Sequence, residues 1–330
     1  MDHQTETGSQ SMPATDTTPT TSPAKSPEQA RRSRMRWLSM LVIAVVWLAA
    51  HVITALTGGG TRVALGTPHT ALSDGYEISY YASGSGGPTV VLLASWARPA
   101  SDFNELATSL KRNGFRTLSI ESRGIGGSAG GGPYTSTTLD ALARDVGAVL
   151  QASGIADAEP VHLIGHAFGN RVARTFATAN PNRTRSLTLI AAGGRTPTPP
   201  ELTNALFAST LTFLPWSKRE PALRKAFFAE SNPIPDFWRD GWSLWGGLAQ
   251  AEAARQSADA AFWAGGDAPM LVFQAREDAV APAAAAGLAL AAEFPDRVTL
   301  VEVPNAAHAI LPEQPAIIAK HTVRFLKASL

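Results

Sequence analysis

The chain has 330 residues, of which 45% are hydrophobic, and this is enough for one large folded domain with additional segments. Its formal net charge of +1 argues against nucleic acid as the main partner. The absence of cysteine excludes disulfides, thiolate metal ligands and a cysteine nucleophile.

The first 70 residues differ in composition from the rest of the chain. Residues 1–36 are rich in Ser, Thr, Pro and Gln, so we expect a disordered arm, because such a segment has little apolar surface to bury. Residues 37–56 are uncharged and strongly apolar, and about 20 such residues span a bilayer as a helix. Residues 57–70, which include Gly58-Gly59-Gly60, are expected to form a linker.

Positive charge precedes the apolar segment, at Arg31, Arg32, Arg34 and Arg36. Because Arg and Lys are retained in the cytoplasm, this asymmetry predicts a single-pass protein of the cell membrane with a cytoplasmic N-terminus and an extracytoplasmic domain. The alternative is a signal peptide cleaved near Ile53-Thr54-Ala55, which would release a secreted protein.

From residue 71 to residue 330, short apolar runs alternate with segments of helical spacing. Runs of this kind are typical of buried parallel strands, and the alternation predicts an α/β domain with helices on both faces of a mostly parallel, doubly wound sheet. The apolar runs are Thr89–Ala94, Arg116–Ile120, Val161–Ile164, Leu187–Ala191, Met270–Gln274 and Val298–Val303.

Between about residues 195 and 266 the strand pattern stops, and helical spacing interrupted by prolines replaces it. This predicts a helical cap inserted into the domain. The cap is rich in aromatic residues, most of which we expect to pack against the sheet, although such a segment can also line an apolar pocket. The candidates for ligand contact are Phe227, Phe228, Trp238, Trp242 and Trp245.

The segment Gly165-His166-Ala167-Phe168-Gly169 joins a predicted strand to a predicted helix. Its glycines and its position match a nucleophile elbow, G-x-S-x-G, in which a sharp turn presents the central side chain. Here the central residue is Ala167, whose methyl group cannot attack a carbonyl carbon.

Four stretches together resemble the α/β-hydrolase superfamily over about residues 70–330. They occur in the order of that family: the turn Glu121–Ser128, the Gly165–Gly169 segment, Asp278 to Pro282 after a strand, and His308 after the last strand. The resemblance implies the α/β-hydrolase fold, with Asp278 and His308 as the acid and base of the family's triad and Ala167 at its nucleophile position.

The resemblance also implies an oxyanion hole formed by the main-chain N–H groups of Trp96 and Phe168. Ala94-Ser95 stands where the family usually has His-Gly, and the Ser95 side chain is a candidate to face the pocket. His166 and His162 are expected to be packing residues, and Glu277 is the substitute acid if Asp278 does not meet His308.

These residues leave three functions open. The first is a hydrolase-like enzyme for a small apolar substrate, in which a His308–Asp278 dyad acts as base towards water or towards an acidic substrate proton. The second is a non-catalytic pseudo-hydrolase that binds an apolar ligand or a protein partner, with the dyad merely joining two loops. The third is an ordinary serine esterase in which Ala167 replaces the serine. The sequence has no metal-ligand cluster, phosphate loop or nucleotide fingerprint, so we expect no cofactor.

Overall fold

The computed structural model describes residues 26–57, 60–128, 137–193, 195–258 and 261–330. These residues belong to two compact units, which divide between Ala49 and Ala50.

Helix α1 (Pro27–Thr57) begins well before the apolar segment, so the expectation of a disordered arm is wrong for residues 27–36, while residues 1–25 lie outside the described part. The reason is a capping box. The Gln29 N–H donates to the Ser26 hydroxyl at 3.2 Å, and the Ser26 N–H donates to the Gln29 side chain at 3.1 Å. The stretch Pro27–Ile53 is long and apolar enough to cross a membrane, a property that signal sequences share.

One sheet organises the second unit. Its strand order is β1-β2-β4-β3-β5-β6-β7-β8; β1 and β2 are antiparallel to their neighbours, and the others run parallel. The expected parallel sheet is therefore present, with an antiparallel edge. The strands are β1 (Thr67–Ser73), β2 (Tyr76–Ser83), β3 (Thr89–Leu93), β4 (Arg116–Ile120), β5 (Val161–His166), β6 (Thr184–Ile190), β7 (Met270–Ala275) and β8 (Val298–Val303).

Strand β1 lies partly in the expected linker, which is therefore shorter than residues 57–70. Its first four side chains are exposed at the edge of the sheet, so the strand lacks the apolar alternation that would have revealed it. The preceding residues also contact the domain, because the Leu65 N–H donates to the Asn104 side chain at 2.8 Å.

Alternate residues of the central strands face two apolar clusters, as the side-chain period of two requires. In β3, Val91 and Leu93 face the cluster formed with α3, α4 and α8, whereas Val90 and Leu92 face the cluster formed with α2, α9 and α10. The covering helices are α2 (Asn104–Arg112), α3 (Leu139–Ala152), α4 (Phe168–Ala179), α8 (Gly287–Glu293), α9 (Ile310–Glu313) and α10 (Pro315–Ala328).

Three further helices, α5 (Pro200–Thr210), α6 (Trp216–Phe227) and α7 (Leu244–Gln256), lie between β6 and β7. They occupy the segment in which the sequence predicts the cap, and we refer to residues 200–256, which contain α5–α7, as the cap. Residues of the cap form a third apolar cluster, which includes Ala97 and Ala309 of the sheet domain.

Candidate active site

Ala167 lies in the sharp turn between β5 and α4. Its φ of +46° and ψ of −108° belong to a region that residues with a Cβ rarely adopt. The Ala167 N–H donates to the Ile190 carbonyl at 2.8 Å, which ties the strained residue to the end of β6. Strain of this kind concentrates at functional sites, where surrounding contacts maintain it.

The two glycines of the turn allow the backbone segments around Ala167 to approach closely. A Cβ on Gly165 would lie 2.5 Å from the Asn170 nitrogen, and a Cβ on Gly169 would collide with the Leu93 carbonyl oxygen. Only glycine fits at either position, because both obstacles are main-chain atoms.

His308 and Asp278 meet at the carboxyl edge of the sheet. The Nδ1 of His308 lies 2.9 Å from Oδ2 and 3.1 Å from Oδ1 of Asp278. Both side chains are buried, and the Asp278 carboxylate also accepts the N–H groups of Val280 and Ala281 at 3.0 and 2.7 Å. These bonds fix the carboxylate, so Nδ1 carries the proton that it donates and Nε2 is left as the basic nitrogen. The adjacent Glu277 is exposed.

The loop that carries His308 is fixed on three sides. The Ala309 N–H donates to the Phe227 carbonyl at the end of α6, and the Ala307 N–H donates to the Glu313 carboxylate, both at 2.7 Å. Nε2 of His166 lies 3.0 Å from the His308 carbonyl oxygen. Because a carbonyl only accepts, this nitrogen of His166 must carry the proton.

His166 and His162 are both neutral packing residues, as their positions in the sequence suggest. Burial lowers the pKa of His166 to about 4, and the nearby His308 adds to the effect. Burial likewise lowers the pKa of His162 to about 4, and the Nδ1 of this ring is 2.7 Å from the Ser186 hydroxyl. A ring with so low a pKa is a weak base, and neither residue lines the cavity described below.

A cavity of about 270 Å³ opens between this edge of the sheet and the cap. Ala167 and His308 both line it, and the ring of Phe227 lies next to that of His308 with centroids 5.9 Å apart. The wall is mostly apolar, with a few polar side chains. Among the residues described, no group of three or more His, Asp or Glu side chains could hold a metal ion.

Of the five aromatic cap residues predicted to contact a ligand, only Phe227 lines this cavity. Phe228, Trp238 and Trp242 instead belong to a buried cluster, in which the Arg98 guanidinium carbon lies 4.5 and 4.7 Å from the ring centroids of Trp238 and Trp242. Their prediction as ligand contacts was wrong because this cluster is the core of the cap. The prediction that Trp245 contacts a ligand was also wrong, because its side chain is 45% exposed and does not line the cavity.

Ser95 does not line the cavity either, so its prediction as a pocket residue was wrong. It is the first residue of a four-residue turn, in which the Arg98 N–H donates to the Ser95 carbonyl at 3.2 Å. Its side chain is buried, and its hydroxyl has no hydrogen-bond partner among the described residues.

Trp96 and Phe168, predicted to supply the oxyanion hole, both line the cavity beside Ala167. Phe168 is the first residue of α4, so its N–H has no partner within the helix. The dipole of a helix also favours negative charge at this end. Both residues therefore border the same cavity as Ala167 and His308.

Several cavity residues were not predicted. Leu206 and Phe207 come from α5, and Gln250 and Ala254 come from one face of α7. Gln250 had a usable signal in the sequence, because a polar residue on the buried face of a helix needs a partner. Further members of the wall are Arg171, Ala191, Gly193, Thr196, Thr198, Thr203, Ala251, Val280 and Ala281.

Comparison with known proteins places these features in a family. The family model for serine aminopeptidases S33 matches residues 88–315, which is well over half of the chain. A crystal structure of a hydrolase from Pseudomonas aeruginosa PA01 is similar at a TM-score of 0.64 and 24% identity, over 79% of this chain and 99% of that one.

Two curated proteins are similar over shorter stretches. The soluble epoxide hydrolase of Corynebacterium sp. (strain C12) is 32% identical over 114 residues, which are 34% of this chain and 37% of the relative. The non-heme haloperoxidase of Rhodococcus erythropolis is 33% identical over 126 residues, which are 38% of this chain and 44% of the relative. The chain thus covers less than half of either relative.

Proposed function

We propose that this chain, which belongs to the serine aminopeptidase S33 family and has the α/β-hydrolase fold, hydrolyses a small apolar ester by direct attack of water. The observation that carries the proposal is the His308–Asp278 pair. Its hydrogen bond uses Nδ1 of His308 and leaves Nε2 as the base, and His308 lines a cavity in which Ala167 supplies no nucleophile. The pair has the hydrogen bonding of a functional base, and the missing hydroxyl leaves room for a water molecule.

The reaction follows from these positions. Nε2 of His308 takes a proton from water as the water oxygen attacks the ester carbonyl carbon, and Asp278 stabilises the imidazolium that forms. The carbonyl oxygen becomes an oxyanion and accepts hydrogen bonds from the N–H groups of Trp96 and Phe168. The tetrahedral species then expels the alcohol oxygen, which receives the proton from His308, and the carboxylic acid remains. No covalent bond to the protein forms.

The dimensions of the cavity limit the substrate. At about 270 Å³ the cavity lies below the range of drug-sized ligand sites, so a short acyl chain fits better than a long one. Phe227, Leu206 and Phe207 provide apolar surface for that chain in the same cavity that His308 and Ala167 line.

The proposal includes a membrane anchor formed by residues 37–56 of α1, with residues 1–36 in the cytoplasm and the hydrolase domain outside. Length and composition of Pro27–Ile53 support it, together with the four arginines before residue 37. Alkaline carbonate extraction of cell membranes should leave the full-length chain in the pellet. A soluble product whose intact mass lacks the first 50 or so residues would favour cleavage of a signal sequence instead.

The catalytic proposal is tested with a panel of p-nitrophenyl esters from acetate to decanoate, assayed with the full chain in detergent. We expect turnover above the buffer rate for the shorter esters, while intact-mass spectrometry during the steady state detects only the unmodified protein. An acyl adduct that forms and decays at the turnover rate would contradict direct water attack, and the absence of turnover on every ester would contradict ester hydrolysis.

A second function, binding of an apolar ligand without catalysis, is favoured by Ala167 itself. Trp96 lines the cavity, so a bound ligand should change tryptophan fluorescence. Saturable quenching by short-chain esters that remain intact over hours would support this function over the first.

A further inference from the structure

The turn Ser95–Arg98, which we call the Trp96 turn, is held in a strained form. Of its two central residues only Ala97 has a positive φ, at +57°, as in a type II turn. That position normally requires glycine, and alanine is disfavoured there. Flipping the plane of the Trp96–Ala97 peptide would convert the segment into a type I turn with a negative φ at Ala97. Contacts with other parts of the chain must therefore maintain the observed form.

Helix α7 of the cap provides that restraint. The Ala97 N–H donates to Oε1 of Gln250 at 2.7 Å, and the Ala97 carbonyl accepts the Ser243 N–H at 3.0 Å. The Trp96 indole N–H donates to the Gly247 carbonyl at 2.8 Å. A Cβ on Gly247 would lie 2.9 Å from the Trp96 ring, so the helix can approach the turn this closely only with glycine there.

Of these contacts, the hydrogen bond to Gln250 is the one that depends on the orientation of the Trp96–Ala97 peptide. The Gln250 Oε1 accepts from the Ala97 N–H in the observed turn. In the rotated form the Trp96 carbonyl oxygen would replace that N–H, so the present hydrogen bond would be lost unless the Gln250 amide also turned to present its NH2 group. Gln250 is buried, so water cannot readily substitute for the lost hydrogen bond.

We propose that Gln250 is a positioning residue, which holds the Trp96 turn in its strained form and so keeps the Trp96 N–H in one place at the cavity. Trp96, Gln250 and Phe168 all line the cavity, together with Ala167. Because the Trp96 N–H is a donor of the proposed oxyanion hole, a turn that is free to change its form would no longer hold that donor at a fixed position for an ester oxygen. This inference rests on the proposed hydrolysis for its effect on rate, but the state of the turn is measurable without turnover.

Three variants separate the roles of the side chain. Gln250→Glu keeps an oxygen that accepts from the Ala97 N–H, whereas Gln250→Met removes the acceptor at similar size. Gln250→Met combined with Ala97→Gly removes the acceptor and also the strain, because glycine adopts a positive φ without cost. Gln256→Met is the control, since Gln256 is exposed at the end of the same helix.

The first measurement is hydrogen exchange of the Ala97 amide in the full chain, followed by mass spectrometry on peptides that end on either side of Ala97. We expect exchange of the residue 97 amide at least tenfold faster in Gln250→Met and in the double variant, which both lack the acceptor, and within threefold of the unaltered chain in Gln250→Glu and in Gln256→Met. Equal exchange in Gln250→Met and the unaltered chain would overturn the inference. So would equally fast exchange in Gln250→Met and Gln250→Glu, because the acceptor would then be irrelevant.

The second measurement is ester turnover by the same proteins, compared at equal folded fraction. We expect kcat to fall at least tenfold in Gln250→Met with KM within twofold, and to recover in the double variant, in which glycine at position 97 keeps the turn without strain. Unchanged kcat in a Gln250→Met protein with fast Ala97 exchange would overturn the positioning role. If the unaltered chain has no turnover, the proposed hydrolysis fails, and the exchange pattern alone decides whether Gln250 holds the turn.

Discussion

The Nδ1 of His308 lies 2.9 Å from Oδ2 of Asp278, and the same carboxylate accepts two main-chain N–H groups of its own loop. Asp278→Asn should replace the acceptor with a group that can donate, and so favour the wrong tautomer of His308. We expect ester turnover to fall on the order of 10² to 10⁴-fold with little change in thermal stability. Glu277→Gln is the matched control, because Glu277 is the exposed neighbour, and it should retain full rate.

Ala167→Ser tests whether the turn at Ala167 still presents a nucleophile position. The positive φ and the hydrogen bond to Ile190 hold the backbone independently of the side chain, so a serine should adopt the same conformation. We expect a burst of about one p-nitrophenol per protein and an acyl adduct in the intact mass. The double variant Ala167→Ser with His308→Ala should give no burst. If Ala167→Ser gave none either, the cavity geometry proposed for attack would be wrong.

Gly169→Ala tests the close approach of α4 to β3. The new methyl group would collide with the Leu93 carbonyl, which cannot rotate away, so the free energy of unfolding should drop by more than about 3 kcal/mol. Gly147→Ala is the counterpart in the middle of α3, where a Cβ would meet nothing within 4 Å. It should raise stability by about 1 kcal/mol. Urea unfolding monitored by circular dichroism distinguishes the two, and similar effects in both variants would contradict the steric argument.

Glu121 makes stability depend on pH. Burial raises its pKa to about 7, the nearby Asp102 adds to this, and the bond from the Ala100 N–H opposes it. The folded state therefore retains a proton that the unfolded state loses above its ordinary pKa near 4.5, so stability falls as pH rises from about 4.5 to 7. Glu121→Gln keeps an acceptor for Ala100 and removes the charge.

We expect Glu121→Gln to be more stable than the unaltered chain at pH 8, by roughly 3 kcal/mol, and about equal at pH 4.5. The buried rings of His162 and His166 titrate in both proteins, so the difference between the two isolates Glu121. Unfolding curves at both pH values supply the measurement. A difference that does not change with pH would show that Glu121 is already ionised in the folded state.

The sheet, the cap and the meeting of Asp278 with His308 were predictable because each leaves a local pattern. Buried parallel strands are continuous apolar runs, and the acid and the base follow two of these runs at the edge where parallel strands end. Strand β1 was missed because most of its side chains are exposed. The start of α1 was missed although Ser26 and Gln29 have the spacing of a capping box.

The choice among cap aromatics was not predictable in the same way. Phe227 and Phe228 are neighbours in sequence, yet one lines the cavity and the other packs on Trp238, because α6 ends between them. Which residue at a helix end faces the cavity depends on how the cap packs on the sheet, and the spacing of apolar residues in the sequence does not indicate it. The restraint of Ala97 by Gln250 is likewise a contact between segments 153 positions apart.

The central claim is that His308 acts as a base in a reaction without a protein nucleophile. It is tested most directly by comparing ester turnover of the full chain with that of His308→Ala, with His69→Ala as control because His69 is exposed on the edge strand β1. The account predicts that turnover by His308→Ala falls on the order of 10² to 10⁴-fold, while His69→Ala is unchanged. Equal turnover by the unaltered chain and by folded His308→Ala would contradict it.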